Sequence, residues 1–301
     1  MSDIYPPTQK PYSRNVEILE EGVFPEQMHR IALGVEYNGA AFHGFQKQPS
    51  GVDTVQQRLE TALSKVADES LTLVCAGRTD TGVHGTNQIV HFDTLSCRPS
   101  KAWTMGVNAL IPDTVSVKWA KEVSPRFHAR FSARNRTYRY VIYNGPSRPA
   151  LGFEQLTWVR HSLDLEAMRQ GAAVLIGRHD FSSFRASQCQ ARSPVREIHY
   201  LHIARRGELV VVEIQANAFL HHMVRNIMGV LLAVGKGEQP SEWVSEVLEH
   251  RDRRKGGVTA KPNGLHLVAV DYPVSFQLPS ASPGPVFFAE SLGAFGDEHN
   301  R

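Results

Sequence analysis

Cysteine is scarce in this 301-residue chain: there are three, at 75, 97 and 189. With an odd, widely spaced set and no Cys-x-x-Cys pair, neither a disulfide framework nor a thiolate zinc or redox site is expected, so all three read as reduced thiols. No apolar run approaches the ~20 residues of a membrane span, and the opening MSDIYPPTQKPYSRN lacks the basic-then-apolar order of a signal peptide. A cytoplasmic protein without a membrane partner is the expectation. Neither a Gly-x-x-x-x-Gly-Lys phosphate loop nor a Gly-x-Gly-x-x-Gly fingerprint is present, which sets nucleotide-driven and dinucleotide-dependent chemistry aside. Excess charge is missing too, with 33 basic against 30 acidic residues and a net charge of +3. That balance alone does not separate a nucleic-acid binder from any other enzyme.

What is present is arginine, unevenly placed. Arg126, Arg130, Arg134, Arg136 and Arg139 fall in one short run, and further arginines follow through residues 178–206 and 251–254. A guanidinium fork matches phosphate oxygens, so the run favours a polyanionic partner; a solvated charged face is the competing reading. In RFHARFSARNRTYRY aromatics alternate with arginines, as on a surface that meets both bases and phosphates. Tyr138 opens an alternating strand there: a core tyrosine on one reading, a ring lining a basic groove on the other.

Hydrophobic periodicity divides the chain into two similar halves. The first, 29–125, reads as a strand at 30–37, a helix from a capping box at Asp53 and Gln56 to Ala67, strands at 71–75 and 87–93, a weaker helix at 102–110 and a strand at 115–119. The second, 126–273, repeats that order: strand 137–143, helix 164–176 closed by Gly177, strands 195–204 and 209–215, helix 219–234 closed by Gly235, strand 266–272. Two β-α-β-β-α-β units, of the ferredoxin or RRM-like kind, sharing an antiparallel sheet with a central cleft make an α+β fold. The ends, 1–28 and 274–301, lack periodicity and are expected to be poorly ordered; they receive no functional reading.

Chemistry concentrates in Cys75-Ala-Gly-Arg-Thr-Asp-Thr-Gly-Val-His-Gly85. Asp80 admits three readings. It caps its own turn, as loop aspartates commonly do. Or Asp80-Thr81-Gly82 is an aspartic-protease triplet, which needs a second carboxylate that this single copy does not supply. Or it is a fixed, ionised carboxylate serving as nucleophile or base, paired with Arg78 and, across the groove, with Arg225, a guanidinium stranded in the apolar helix NAFLHHMVRNIMGVLLAVG. His221 and His222 are adjacent, so on a helix they face different ways, and no third ligand stands at useful spacing; a metal is not expected.

AGRTDTGVHG, FHARFSA, YRYVIYN, FSSFRA, NAFLHHMVRNI and GLHLVAVDYP, in this order, closely resemble the tRNA pseudouridine synthase A family over about residues 29–273. The one departure in the loop is Gly85, where alanine is common. The resemblance implies isomerisation of uridine to pseudouridine at positions 38, 39 and 40 of tRNA, by a homodimer without metal or organic cofactor. It implies Asp80 as the catalytic carboxylate, Arg78 as the group that displaces the target nucleotide, Tyr138 as the ring on the uracil and acceptor of its carbon 5 proton, Arg225 as partner of Asp80, and Leu265 as an apolar pocket wall. His128 and Arg130 are expected to contact the substrate. A non-catalytic RNA-binding module is the alternative.

Overall fold

A computed structural model describes residues 24–280 together with Gly284 and Pro285. Ten strands, β1 (His29–Tyr37), β2 (Val74–Cys75), β3 (His84–Thr94), β4 (Val115–Val123), β5 (Asn135–Asn144), β6 (Thr157–Val159), β7 (Gly177–Asp180), β8 (Val195–Arg206), β9 (Leu209–Ala216) and β10 (Leu265–Asp271), form one sheet in the order β4-β1-β3-β10-β5-β9-β8-β7, with β2 beside β3 and β6 beside β5. In the first half β1, α1 (Val55–Ala67), β2, β3 and β4 give the strand order 4-1-3-2. In the second half β5, α2 (Leu165–Ala173), β8, β9, α3 (Met223–Gly235) and β10 give the same 4-1-3-2. The repeat expected from periodicity is therefore a repeat of topology. The sheet is mostly antiparallel, but the seam between the halves is not: β10 runs parallel to β3, pairing His266 with His84 and Leu267 with Gly85.

The seam exists because β2 is short. Leu71 and Leu73 were expected to extend that strand, but their side chains sink into the first core and the backbone turns to α1 instead. The Leu73 N–H donates to Glu60 Oε1 at 3.0 Å, and the Leu73 carbonyl accepts from Gln56 Nε2 at 3.3 Å. Only Val74 and Cys75 pair with β3, against His91 and Val90, which leaves the beginning of the β3 edge for β10. The loop 76–83 lies where the edge passes from one neighbour to the other.

Helix α1 buries Val55, Leu59, Ala62, Leu63 and Ala67 on one stripe. Its cap is Thr54, whose hydroxyl accepts from the Gln57 N–H at 3.4 Å; Asp53, expected to cap, instead holds Arg58 at 2.7 Å. Asp164, where the second helix was expected to begin, caps α2, accepting from Glu166 and Ala167 N–H. That helix closes at Ala173, and Gly177, at φ +100°, opens β7 (Gly177–Asp180). Helix α3 is buried on nearly every side. β6 (Thr157–Val159), β7 and α4 (Trp243–His250) are additions to the expected order, and the weak helix near 102 is a π-helical segment, Ala102–Gly106.

Residues 1–23 of the expected N-terminal extension lie outside the described residues. Of the C-terminal tail, Val274–Phe276 forms a 3-10 turn whose Phe276 ring packs 5.2 Å from Phe127. Gly284 is buried, its carbonyl accepting from the fully buried Arg139 at 3.0 Å. Those parts of the tail belong to the fold.

Candidate active site

Loop 76–83 is fastened at several points. The Gly77 carbonyl accepts from the buried Gln88 amide at 2.6 Å, and the Ala76 N–H donates to Ile89 O. The Tyr37 hydroxyl meets Thr79 Oγ1 at 2.8 Å, and the Thr79 carbonyl accepts from the Phe45 N–H. Two glycines let other backbone come this close. A Cβ on Gly39 would lie 1.9 Å from Val83 O, and one on Gly44, at φ +90°, would lie 2.9 Å from Thr79 O.

So fixed, Asp80 does not cap its own turn. Its carbonyl accepts from the Val83 N–H at 3.1 Å, while its carboxylate turns to the second half of the molecule. Arg225 Nη1 lies 3.2 Å from Oδ2, His222 Nε2 3.3 Å from Oδ2, and His221 Nε2 3.3 Å from Oδ1. The carboxylate retains 24% exposure, so it is reachable from solvent. Arg225 is anchored from behind: its Nε donates to Ala260 O at 2.9 Å, and its backbone carbonyl accepts from the Ala260 N–H. None of the recorded partners of Asp80 is a second acid, which removes the shared-proton arrangement of an aspartic protease.

Three expectations need correction. Arg78 is exposed and forms no ion pair with Asp80: with Thr79 buried and tied to Tyr37, its side chain is carried outward. One guanidinium and two imidazoles, not two guanidiniums, surround the acid. The histidines were assigned to different helix faces, but α3 begins only at Met223, and His222 stands before it in a left-handed conformation at φ +61°. That backbone costs about 1–3 kcal/mol for a residue other than glycine. It lays the two rings together, centroids 4.1 Å apart, so both Nε2 atoms face Asp80. Asp80 is thus the third donor that sequence spacing did not reveal, the three ligand atoms lying within 4.8 Å of one another. Burial pushes the His222 imidazole below its ordinary range, against the opposing pull of Asp80.

Third, Arg136 and Arg139 do not belong to a phosphate-facing run. Arg139 is fully buried against Glu213 at 2.6 Å. Arg136 donates to Ala76 O at 3.0 Å, Arg130 O at 2.8 Å and Asn217 O at 3.1 Å, joining the Asp80 loop to the segments on either side. Arg126, Arg130 and Arg134 remain exposed. His128 spends Nδ1 on the loop, accepting from the N–H groups of Arg130 and Phe131 at 3.1 Å each, and burial pushes its pKa down to about 4. Its ring stacks under the exposed Phe131 at 4.4 Å, and the Arg130 guanidinium lies 5.5 Å over Phe131. His128 thus supports an exposed pair of Phe131 and Arg130.

Tyr138 is buried beside the site, its ring edge-on to Phe219 at 5.1 Å. Burial, with a smaller contribution from Asp80, raises its phenol, which stays protonated. Leu265 is buried at the start of β10, opposite Tyr140. Burial likewise pushes the Cys75 thiol up to about 11, so the thiol nearest the loop is no nucleophile. Among the described residues no helix is long and apolar enough to cross a membrane.

The chain is similar to known proteins along most of its length. The family model described as tRNA pseudouridine synthase matches residues 34–132 and 172–273. The tRNA pseudouridine synthase A of Pseudomonas aeruginosa is 53% identical over 289 residues, covering 96% of this chain and 98% of its own. That of Pseudoalteromonas atlantica is 54% identical over 263 residues, 87% and 100% of the two chains. Among solved structures, one titled Cbf5-Nop10-Gar1 complex aligns over 79% of this chain and 48% of its own at 12% identity, with a TM-score of 0.33, too loose for any argument to rest on. With a family model spanning more than half of its length and relatives more than half identical along nearly all of it, this chain belongs to the tRNA pseudouridine synthase family.

Proposed function

We propose that the protein converts uridine to pseudouridine at positions 38, 39 and 40 of tRNA, with the Asp80 carboxylate as nucleophile. The observation that carries this reading is the carboxylate itself. It is held in a many-times-fastened loop at the seam of two half-domains, 3.2 Å from the Arg225 guanidinium and open to solvent on one side. The target nucleoside must first leave its stack, at a cost of a few kcal/mol. Phosphate contacts offset that cost, and the exposed Arg126, Arg130 and Arg134, with Arg78 at the mouth of the loop, supply the cations for them. Phe131, stacked on His128 and lying under the Arg130 guanidinium, adds an exposed aromatic ring to that basic surface.

In the cleft Asp80 attacks the uridine, at the sugar or at the base ring, and the bond from ribose to the base nitrogen breaks. The uracil turns within a pocket walled by Leu265 and the Tyr138 ring and rejoins the ribose through carbon 5. The carbon 5 proton then leaves, and the carboxylate is released. Because the Tyr138 phenol is protonated in the resting site, it takes that proton only by passing its own onward. Arg225 keeps the carboxylate oriented throughout. Since reactant and product are isomers, the reaction itself consumes no redox equivalent or energy carrier. The protein acts in the cytoplasm on this reading, as a homodimer with tRNA held across both subunits; light scattering of the free protein checks the latter.

The test is Asp80→Asn, which keeps shape and removes charge. tRNA binding is expected to persist, while release of tritium from 5-labelled uridine falls below about one thousandth of the unsubstituted rate. Undiminished turnover would end the assignment.

A further inference from the structure

We propose that Asp80, His221 and His222 together form a binding site for a divalent transition-metal ion, zinc by their ligand chemistry, and that a bound ion switches the enzyme off by occupying the carboxylate. The binding half stands on the geometry alone; the inhibitory half rests on the catalytic reading of Asp80.

One donor atom from each residue lies within 4.8 Å of the other two. Each imidazole Nε2 is 3.3 Å from a carboxylate oxygen of Asp80. Charge-assisted hydrogen bonds between nitrogen and oxygen are shorter, at about 2.7–2.9 Å. A separation of about 3.3 Å, which His221 has to Oδ1 and His222 to Oδ2, is also what two donors take when both bind one tetrahedral ion at about 2.0–2.1 Å. Two imidazole nitrogens and one carboxylate oxygen are a three-ligand zinc set that leaves the fourth position open. Calcium and magnesium take oxygen ligands, so a site with two nitrogens discriminates against both. Access is open, since the side chains of His221 and His222 are 41% and 30% exposed.

Two further features fit. The left-handed His222 backbone is what brings the rings together, so the strain is spent on the cluster. Three buried or half-buried histidines, by contrast, have committed the nitrogen that a metal would need: His84, His91 and His128 each accept a backbone N–H through Nδ1. Arg225 opposes the ion: it shares Oδ2 with His222, while Oδ1 faces His221, so an ion takes Oδ1 or displaces Arg225 from Oδ2. The expected ion is therefore exchangeable rather than permanent.

The experiment uses the full chain, freed of metal by dialysis against a chelator and carrying Cys97→Ser to remove an exposed thiol. Titration with cobalt(II) is expected to give the strong visible bands of a four-coordinate ion at one ion per chain, displaced by zinc. His221→Ala and His222→Gln are each expected to weaken binding by at least about tenfold, as even the loss of a group behind a ligand does. Asp80→Asn, nearly isosteric, is expected to do the same with the fold intact by circular dichroism. Zinc is expected to suppress tritium release in proportion to occupancy, and a chelator to restore it. Cobalt that keeps the weak absorption of its hydrated form overturns the site, as does affinity indifferent to all three substitutions. Turnover undiminished by an ion bound at the triad overturns the inhibition. Whether Asp80 catalyses is read separately from the metal-free Asp80→Asn protein, so the two ideas fail independently.

Discussion

At the scale of single residues, the site is a problem of holding one carboxylate still with partners from another part of the chain. Arg225 answers it with two kinds of bond, one to Asp80 and one to Ala260 O, and only the first concerns chemistry. Replacing it with methionine, of similar reach but no charge, separates the two. Removing one member of a fully buried pair costs about 3–5 kcal/mol, but Asp80 keeps a wet side, so the loss of stability should stay under about 2 kcal/mol. We expect Arg225→Met to lower kcat/KM by at least about a hundredfold, with a urea midpoint shifted only modestly. A collapse in stability with normal turnover in the folded fraction would make Arg225 a structural brace. The same scale shows why the histidine pair escaped sequence reasoning. His221 and His222 look like neighbours on a helix, and only the left-handed His222 backbone, which no residue pattern announces, turns both toward Asp80.

At the scale of elements, the loop that carries Asp80 depends on a close approach that its own sequence does not mention. Gly44 belongs to a different loop, yet at φ +90° a Cβ there would press on Thr79 O at 2.9 Å and on Thr81 N at 3.3 Å. Gly51 shares the positive φ, at +74°, with nothing within 4 Å. The pair separates strain from displacement: both alanine substitutions should cost about 1–3 kcal/mol in urea denaturation. Gly44→Ala alone should cut tritium release by about tenfold or more. Equal activity in the two variants would mean that the loop tolerates being moved. Elements with regular periodicity were legible: α1 from its 3-4 spacing, the long strands from alternation, and the two halves from their repeated order. β2 was overdrawn because its apolar residues satisfy a strand pattern while their backbone bonds go to Gln56 and Glu60. β6 and β7 are too short to show a period. The α4 signal was present, since Trp243, Val244, Val247 and Leu248 are spaced as on a buried helix face.

At the scale of the whole molecule, the arginine-rich stretches divide into braces and an exposed face, a division that composition cannot make and burial can. Histidine divides too, and its buried members govern how the fold responds to acid. His84 accepts the Gly39 N–H at 3.0 Å and reaches the Glu154 and Asn263 carbonyls with its other nitrogen, which fixes a neutral tautomer at the seam. His91 accepts the Ala129 N–H at 3.1 Å. Burial pushes both below the ordinary histidine range, His91 to about 2, with His128 and Arg30 adding to the effect. His266, packed edge-on against His84 at 4.7 Å, is shifted the same way, first by burial. A histidine with a depressed folded pKa contributes stability that is complete above its unfolded value near 6.5 and is lost as the pH falls, because the unfolded chain takes the proton first. Each such group steepens the loss by at most about 1.4 kcal/mol per pH unit. The urea midpoint should therefore hold above pH 7 and fall progressively between pH 6.5 and 4. His91→Gln, which keeps an acceptor for Ala129 without a titrating ring, should show a shallower decline than the unsubstituted protein over that interval. Parallel pH profiles for the two proteins would show that His91 takes up no proton on unfolding and that the acid sensitivity lies elsewhere in the fold.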